Sequence, residues 1–371
     1  MPNITYLFTQ NRKDNYETNS IQAREFYYGL PFIDKDKNKI EIIEFENSEN
    51  GTSKFLDFLD RFLRKYLSLP FYMAKITNSK NIEILRKTNH LIMVAESTGL
   101  SAFLMLLMLK KKHDIKTHLF VMGLYSKNIR FPIFKKLHFI IIKGFVKYID
   151  NLFFLGENEY EKAKVVHNNS TKLTYFPFCI DTTFWNSKNN NLKKNNQPII
   201  FVGNDGNRNI ELLLNIAKNL TNFNFIFVSQ IKELQTINLD NVQLISGSWG
   251  DDKISDFKLK ELYLKSRICI LPLKNSTQPS GQSVGLQCMS LGIPVFISDT
   301  DGFWDKTMFK NKKEILFIDN NLDDWVRNIE LYYFDELFLN TISSNAKRVV
   351  NEKFNLNVFN EKLNKIINFQ S

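Results

Sequence analysis

Short apolar runs alternate with segments of helical pattern along the whole chain. After each run, apolar residues recur at the three- and four-residue spacing of a helix that faces a core on one side. The runs are ITYLFT, IEIIEF, HLIMVAE, HLFVMG, NLFFLG and LTYFPF in the first half, and PIIFVG, FNFIFVS, VQLIS, ICILPL, PVFIS and ILFI in the second. Because strands buried on both faces give continuous apolar runs, this alternation predicts an α/β fold with parallel sheets. Two successive sets predict two doubly wound, Rossmann-like domains that face a cleft.

The alternation breaks once, at about residues 177–198, where asparagine and lysine dominate. This break predicts a first domain over residues 1–178 and a second over residues 199–340. Residues 341–371 follow as a helical tail with an interruption near Phe354. A ligand is expected at the carboxyl ends of the strands.

One glycine-containing loop, GNDGNRN, directly follows the run PIIFVG and opens a helix. Gly203, at its start, allows a ligand to approach the backbone. Arg208, near its end, can offer a planar fork of donors to a phosphate. The alternative is an ordinary turn with a solvated arginine.

A second loop, QPSGQS, follows the run ICILPL and also opens a helix. Ser280, Gly281, Gln282 and Ser283 would present backbone N–H groups and the positive end of the helix dipole to an anion. The alternative is that Ser280 is an ordinary helix cap and Gly281 an ordinary turn residue. Two loops of this kind on one sheet edge indicate a phosphate site.

With their flanks, these loops resemble the C-terminal domain of GT-B glycosyltransferases of the large family-four type. FVGND, at 201–205, is similar to the strand end that opens the domain in that family. LQCMSLGIPV, at 286–295, followed by SDTDGFWD, at 298–305, resembles the segment that binds the nucleotide-sugar donor. FPFCIDTTFW, at 176–185, resembles the interdomain linker, with Asp181 at its aspartate position.

The resemblance implies an enzyme that moves a sugar from a nucleotide-diphosphate donor to a glycan or lipid-linked acceptor, in the synthesis of a cell-surface polysaccharide or lipopolysaccharide. It also implies that the helical tail returns to the first domain. Gln287 is expected near the ribose and Trp249 near the base, although a packed surface aromatic is an equal alternative for Trp249. The expected donor-binding residues are Gly203, Asn204, Arg208, Trp249, Ser280, Gly281, Gln282, Ser283 and Gln287.

The chain also departs from the family pattern. The family often has two glutamates separated by seven residues, and this sequence has Pro279 and Gln287 there. A lysine that follows the phosphate-binding arginine in the family is missing after Arg208. Two further hypotheses therefore stay open: a degenerate GT-B subunit that serves as a binding or scaffold protein, and a sugar-nucleotide epimerase on the same fold.

Two glutamates are candidate catalytic residues. Glu96 follows the third run and opens a helix, where an inverting enzyme could keep a general base. Its alternative is a solvated glutamate favoured by the helix dipole. Glu25 is the second candidate, with an exposed position in the first helix as its alternative.

Composition refines the expected partners. The formal net charge is +10 and the isoelectric point about 9.2, which favours anionic partners in general. No nucleic-acid motif accompanies that charge, so no nucleic acid is expected as a partner. Residues 127–151 mix lysines with phenylalanines and could lie on an anionic membrane, with an ordinary amphipathic helix as the alternative.

Cysteine and histidine add no further chemistry. The three cysteines lack metal-ligand spacing and are expected as buried, reduced thiols, and the five histidines do not cluster. No metal or other cofactor is therefore expected. The sequence has no signal-peptide pattern and no run long enough to cross a bilayer, so a cytoplasmic location is expected, with peripheral membrane contact as an option.

Overall fold

A computed structural model describes residues 1–9, 11–18, 22–46, 53–127, 129, 131–187, 196–247 and 254–367. The chain forms two compact units. Unit 1 comprises Met1–Ile21, Tyr27–Phe176 and Asn364–Ser371, and unit 2 comprises Gln22–Phe26 and Pro177–Leu363. Neither unit is continuous in sequence, because a short piece of the first half belongs to unit 2.

Unit 1 is built on a six-stranded parallel sheet in the order β2-β1-β3-β4-β5-β6. The strands are β1 (Asn3–Leu7), β2 (Lys39–Ile43), β3 (His90–Met93), β4 (Lys116–Val121), β5 (Asn151–Phe154) and β6 (Leu173–Tyr175). Strands β3, β4 and β5 are almost wholly buried, which explains why their sequences are continuous apolar runs.

Helices cover this sheet. They are α1 (Lys13–Glu17), α2 (Lys54–Leu67), α3 (Ser79–Arg86), α4 (Glu96–Leu109), α5 (Pro132–Val146) and α6 (Glu157–Val166). Short 3-10 turns lie at Leu30–Phe32 and Met73–Lys75. Helix α4 is apolar on nearly all sides and its residues are largely buried, whereas α2 buries only one stripe. No described helix is both long enough and apolar enough to cross a membrane.

Unit 2 repeats the architecture with a second parallel sheet in the order β12-β11-β10-β7-β8-β9. Its strands are β7 (Ile199–Val202), β8 (Phe225–Val228), β9 (Val242–Ile245), β10 (Ile268–Leu271), β11 (Val295–Ser298) and β12 (Leu316–Ile318). Its helices are α7 (Ile210–Asn219), α8 (Lys232–Gln235), α9 (Asp256–Lys265), α10 (Gln282–Leu291), α11 (Leu322–Tyr332), α12 (Glu336–Lys353) and α13 (Leu356–Ile367), of which the part up to Leu363 belongs to this unit.

The strand order of unit 2 reverses between β7 and β10, which are hydrogen-bonded neighbours. From β7 the chain runs outward to β8 and β9, and from β10 it runs outward the other way to β11 and β12. In open α/β sheets a ligand binds at such a reversal, beyond the carboxyl ends of the strands. The loops after β7 and β10 are therefore placed at the expected ligand position of unit 2.

The prediction of two doubly wound parallel sheets is confirmed. The tail over residues 341–371 is divided, since α12 belongs to unit 2 and the chain from Asn364 onward is grouped with unit 1. The expectation of a first helix that contains Glu25 is wrong. Residues Glu25–Tyr27 form only a 3-10 turn, and positive φ angles at Tyr28 and Gly29 end it.

Candidate functional site

The loops after β7 and β10 lie side by side. Asn209 donates its backbone N–H to the carbonyl of Pro272 at 3.0 Å, and Lys274 donates to the carbonyl of Asn207 at 2.8 Å. The Nδ2 of Asn207 also donates to the Oγ of Ser280 at 2.8 Å. The two loops that the sequence singled out thus form one structure at the strand reversal of unit 2.

The Arg208 side chain fills the space between them. Its guanidinium lies so close to Gly203 that a Cβ at that position would overlap Nε, and a Cβ at Gly281 would lie 3.3 Å from Nη1. The side chain is 4% exposed, and Nη2 lies 3.4 Å from a carboxylate oxygen of Asp205. The alternative of a solvated arginine in an ordinary turn is wrong.

Two donors of Arg208 have no hydrogen-bond partner among the described residues, and both Nε and Nη1 are buried. Burial lowers the pKa of this guanidinium, and the carboxylate of Asp205 raises it. Since a buried donor without an acceptor costs about 1–3 kcal/mol, the arrangement is one that an anionic ligand would stabilise. Gly203 leaves the room that the guanidinium occupies, because a Cβ at that position would overlap Nε.

Helix α10 begins beside this guanidinium. Its N-cap is Gly281, at a φ of 75°, and no side chain caps the first turn. The alternative that Ser280 caps the helix is therefore wrong. Gln282 is buried and Ser283 half-buried in that first turn. The backbone N–H groups of this turn add the positive end of the helix dipole to the charge of Arg208.

Asn204 is held by neighbouring loops. Its Oδ1 accepts from the backbone N–H of Gln230 at 2.6 Å and from Ser229 Oγ at 3.1 Å, and its Nδ2 donates to the carbonyl of Gly247 at 2.9 Å. Its side chain thus ties the ends of β7, β8 and β9 together. Donor contact by Asn204 stays a prediction. Trp249, the other residue predicted in this region, lies outside the described residues.

Gln287 is fully buried on α10. Its Nε2 donates to Glu25 Oε1 at 3.0 Å, and its Oε1 accepts from Tyr263 Oη at 3.2 Å. Both ends of the amide are thus engaged by protein groups. Contact between Gln287 and the ribose stays a prediction.

Glu25 is the acceptor at the centre of this cluster. It is 1% exposed, so its predicted exposure is wrong. Its Oε1 also accepts from Trp185 Nε1 at 2.7 Å, and its Oε2 accepts from the backbone N–H of Asp181 at 3.3 Å. Burial raises the pKa of Glu25 to about 7, although these hydrogen bonds oppose the change. The described contacts make Glu25 an internal acceptor of unit 2, and its catalytic role stays a prediction.

The segment around Glu25 is fixed by further polar contacts in unit 2. Arg24 binds Asp181 through two hydrogen bonds, of 2.6 and 3.2 Å. The backbone N–H of Ala23 donates to Asp256 Oδ2 at 3.0 Å, at the start of α9. This set of contacts explains why Gln22–Phe26 groups with unit 2.

Glu96 lies in unit 1, at the first residue of α4 and beyond the end of β3. It is 7% exposed, and its Oε2 accepts from the backbone N–H of Met122 at 3.2 Å. Burial raises the pKa of its carboxyl. The alternative of a solvated glutamate is therefore wrong, while the role of general base stays a prediction.

Sequence reasoning missed a second carboxylate on this side of unit 1. Glu159, in the first turn of α6, is fully buried, and its Oε1 accepts from the backbone N–H of Tyr125 at 2.9 Å. Burial and the charge of Glu96 raise the pKa of Glu159 to about 8. A signal was present, because two glutamates, Glu157 and Glu159, follow the run NLFFLG, as Glu96 follows the run HLIMVA.

Among the residues that the structure describes, no group of three or more His, Cys, Asp or Glu residues is placed so that it could bind a metal ion. The expectation that no metal or other cofactor is required stays a prediction. All three cysteines are buried and outside any disulfide, as expected.

Solved structures with the same fold span nearly the whole chain. Sucrose-phosphate synthase from Thermosynechococcus elongatus is 13% identical, with a TM-score of 0.69 over 99% of this chain and 98% of that chain. HepE from Anabaena, in complex with UDP and glucose, is 11% identical, with a TM-score of 0.66 over 99% and 100%. A glycosyltransferase from Rickettsia africae is 14% identical, with a TM-score of 0.61 over 98% and 97%.

Neither a protein-family model nor a curated protein matches the sequence. The structural likeness nevertheless extends over both units and nearly the full length of these neighbours. The chain therefore has the GT-B fold that the sequence resemblance implied.

Proposed function

We propose that this chain is a glycosyltransferase that moves a sugar from a nucleotide-diphosphate donor to an acceptor. The observation that supports this most is the buried guanidinium of Arg208, which lies beside the first turn of α10 and has two donors without a hydrogen-bond partner among the described residues. Such a pair of features at a strand reversal suits a diphosphate. The HepE neighbour is in complex with UDP-glucose in one of its structures, and this makes UDP the first nucleotide to test.

The chemistry follows from the charge on the leaving group. When the bond between the sugar and the diphosphate breaks, negative charge grows on the diphosphate oxygens. Arg208 and the backbone N–H groups at Gln282 and Ser283 would stabilise that charge from fixed positions, and such preorganised donors lower the barrier. This mechanism needs no metal ion.

On the acceptor side we assign the general base to Glu96. A carboxylate whose pKa is raised by burial accepts a proton more readily at neutral pH than a solvated one. The nearby carboxyl group of Glu159, whose pKa is about 8, would keep one proton in the pair at neutral pH and limit charge repulsion. A glycan or lipid-linked acceptor, in cell-surface polysaccharide or lipopolysaccharide synthesis at the cytoplasmic side of a membrane, completes the proposal.

The test is calorimetric titration of UDP into the wild-type protein and into Arg208→Ala. Loss of a charged donor to a phosphate removes about 1.5–3 kcal/mol, so the Kd for UDP should rise about ten- to a hundredfold. Arg327→Ala is the matched control, because Arg327 is an exposed arginine on α11 of the same unit. Equal affinity of the wild type and Arg208→Ala for UDP would contradict the proposed phosphate site.

Gln287 and Pro279, in the positions of the family's two glutamates, favour a second candidate, a GT-B subunit without donor chemistry. The two candidates differ in turnover. A transferase should release UDP from a sugar donor, slowly to water and faster with an acceptor, whereas a scaffold subunit should not. An epimerase would instead return the nucleotide sugar with an altered sugar, which anion-exchange chromatography and NMR of the recovered donor would detect.

A further inference from the structure

Helix α2 of unit 1 carries a stripe of aromatic side chains that face outward. Phe55, Phe58, Phe62 and Tyr66 recur at spacings of three, four and four residues, and all four are exposed, Phe55 by 70%. The core side of α2 is a different stripe, which includes the buried Leu63 and Leu67. Because α2 already packs on the core of unit 1 through this second stripe, the packing of unit 1 does not explain why the outward stripe is aromatic.

Helix α5 continues this surface. Ile133, Leu137 and Ile140 recur along one side of α5 and are exposed, Ile133 by 70%. The two helices are in contact where the ring of Tyr66 lies 5.5 Å from that of Phe134, centroid to centroid. We call this surface the aromatic face, defined as Phe55, Phe58, Phe62, Tyr66, Phe131, Ile133, Leu137 and Ile140.

Basic residues border the aromatic face. Lys54, Arg61 and Lys65 are seven and four residues apart on α2, and at 100° per residue this places them together on the side of the aromatic stripe away from the core. Lys136 and Lys143 flank the stripe of α5 on one side, about 70° around the helix from it at 100° per residue. Together the two helices contain seven lysines and arginines and two aspartates.

The two aspartates cancel only a small part of this charge at the surface. Asp60 is buried and accepts from the backbone N–H of Ala74 at 3.0 Å, so it faces the interior. Asp57 forms an ion pair with Arg61 four residues later. The border of the aromatic face is therefore positive, with no acidic residue at all on α5.

We propose that the aromatic face is a docking surface for an anionic lipid bilayer. Aromatic and aliphatic side chains would enter the interface between headgroups and acyl chains, while the bordering lysines and arginines bind lipid phosphates. Charge complementarity selects this occupant, because a second copy of the chain would bring one positive border against another. Only residues 127–151 were expected from the sequence to meet a membrane, and the structure adds the whole outer stripe of α2.

The proposed docking surface also narrows the chemical class of the acceptor. If the proposed transferase activity holds, an enzyme whose acceptor-side unit lies on a bilayer is suited to a lipid-linked acceptor, and this step rests on the proposed function. Docking itself does not rest on it. The experiment can therefore measure docking without any turnover.

The test is flotation of the full chain with two kinds of vesicle. One kind contains phosphatidylcholine alone, and the other also contains about 30 to 40% of the anionic lipid phosphatidylglycerol. The wild type should float with the anionic vesicles and not with the neutral ones. Each bound lysine or arginine contributes about 1 kcal/mol, so binding should fall steeply as salt is raised. The double variant Phe58→Ser/Ile140→Ser should lower partitioning at least tenfold.

The matched control is Phe257→Ser/Leu337→Ser, which removes two exposed apolar residues from unit 2. It should float like the wild type. Near-ultraviolet circular dichroism of every variant checks that the aromatic core is intact. Lys136→Glu/Lys143→Glu should weaken anionic binding while it leaves the aromatic face in place, which separates the two contributions.

Three results would overturn the proposal. They are absence of flotation with anionic vesicles, equal flotation of the control and the Phe58→Ser/Ile140→Ser variant, and a wild-type dimer in light scattering that this variant abolishes. The last result would assign the aromatic face to a second copy. UDP titration of the same proteins keeps the two proposals apart, because the Phe58→Ser/Ile140→Ser variant should bind UDP normally and Arg208→Ala should float normally.

Discussion

Replacement of Glu25 by glutamine should change how the stability of unit 2 depends on pH. The carboxyl group of Glu25 is enclosed, and burial raises its pKa from 4.5 to about 7. The folded state therefore retains a proton that the unfolded state releases. The contribution of this group to the free energy of unfolding is therefore highest below pH 4.5. It falls as the pH rises towards 7 and stays low above pH 7.

The magnitude follows from the size of this pKa change. A shift of one pKa unit corresponds to about 1.4 kcal/mol, so the full penalty at high pH is about 3 kcal/mol. Between pH 5 and pH 8 the wild type should lose about 2.5 kcal/mol of unfolding free energy through this group. Glutamine is neutral and can still accept from Trp185, so the Glu25→Gln variant should lack this loss.

Urea unfolding followed by tryptophan fluorescence is the suitable assay. All four tryptophans of the sequence fall within Pro177–Leu363, so their emission reports on unit 2. The buried carboxyl group of Glu159 belongs to unit 1, which has no tryptophan. Glu330→Gln, on an exposed position of α11, is the control and should keep the wild-type pH dependence. If wild type and Glu25→Gln lose equal stability between pH 5 and pH 8, the reasoning from the buried carboxylate is refuted.

Three further predictions concern packing. Gly203→Ala should displace the Arg208 side chain and raise the Kd for UDP about tenfold in calorimetry, since the new Cβ overlaps Nε; an unchanged Kd would show that the guanidinium does not need this position. Gly285→Ala should lower the free energy of unfolding in urea by about 1–3 kcal/mol, because its Cβ would lie 2.8 Å from Trp304. Gly144→Ala, which has open space around it on a helix, should raise that free energy by about 0.5–1 kcal/mol, and equal effects of the two variants would argue against this packing. A thiol reagent such as Ellman's reagent should label no cysteine in the native protein and three in denaturant, and rapid native labelling would contradict the burial of Cys179, Cys269 and Cys288.

The sheets could be predicted because parallel strands leave a strong local signal. Each apolar run, such as ICILPL before β10, is short, apolar throughout and followed by a helical pattern. The association of the two loops at Gly203 and Gly281 could also be predicted, since each follows a strand end and the carboxyl ends of parallel strands share one edge. Local sequence is therefore sufficient to predict the two sheets and the position of the candidate site.

The partners of Glu25 could not be predicted, for a reason of distance along the chain. Its acceptor oxygens meet donors on Trp185 and Gln287, which are 160 and 262 residues away. No local sequence pattern specifies contacts over such distances. A charged residue in a polar stretch of sequence is normally expected to be exposed to solvent. The same limit applies to Glu159, whose pKa is raised by burial and, in addition, by the charge of Glu96 in a different helix.

The inclusion of Gln22–Phe26 in unit 2 has a consequence for synthesis on the ribosome. These residues emerge early, whereas Gln287 is made 262 residues after Glu25. At about 5–20 residues per second, that interval lasts on the order of 13 to 50 seconds. During it, unit 2 is incomplete and the amino-terminal segment must wait without its partners. A fragment that begins at Pro177 would likewise leave the indole of Trp185 and the amide of Gln287 without their acceptor, so unit 2 cannot be obtained intact by cutting the gene at one place.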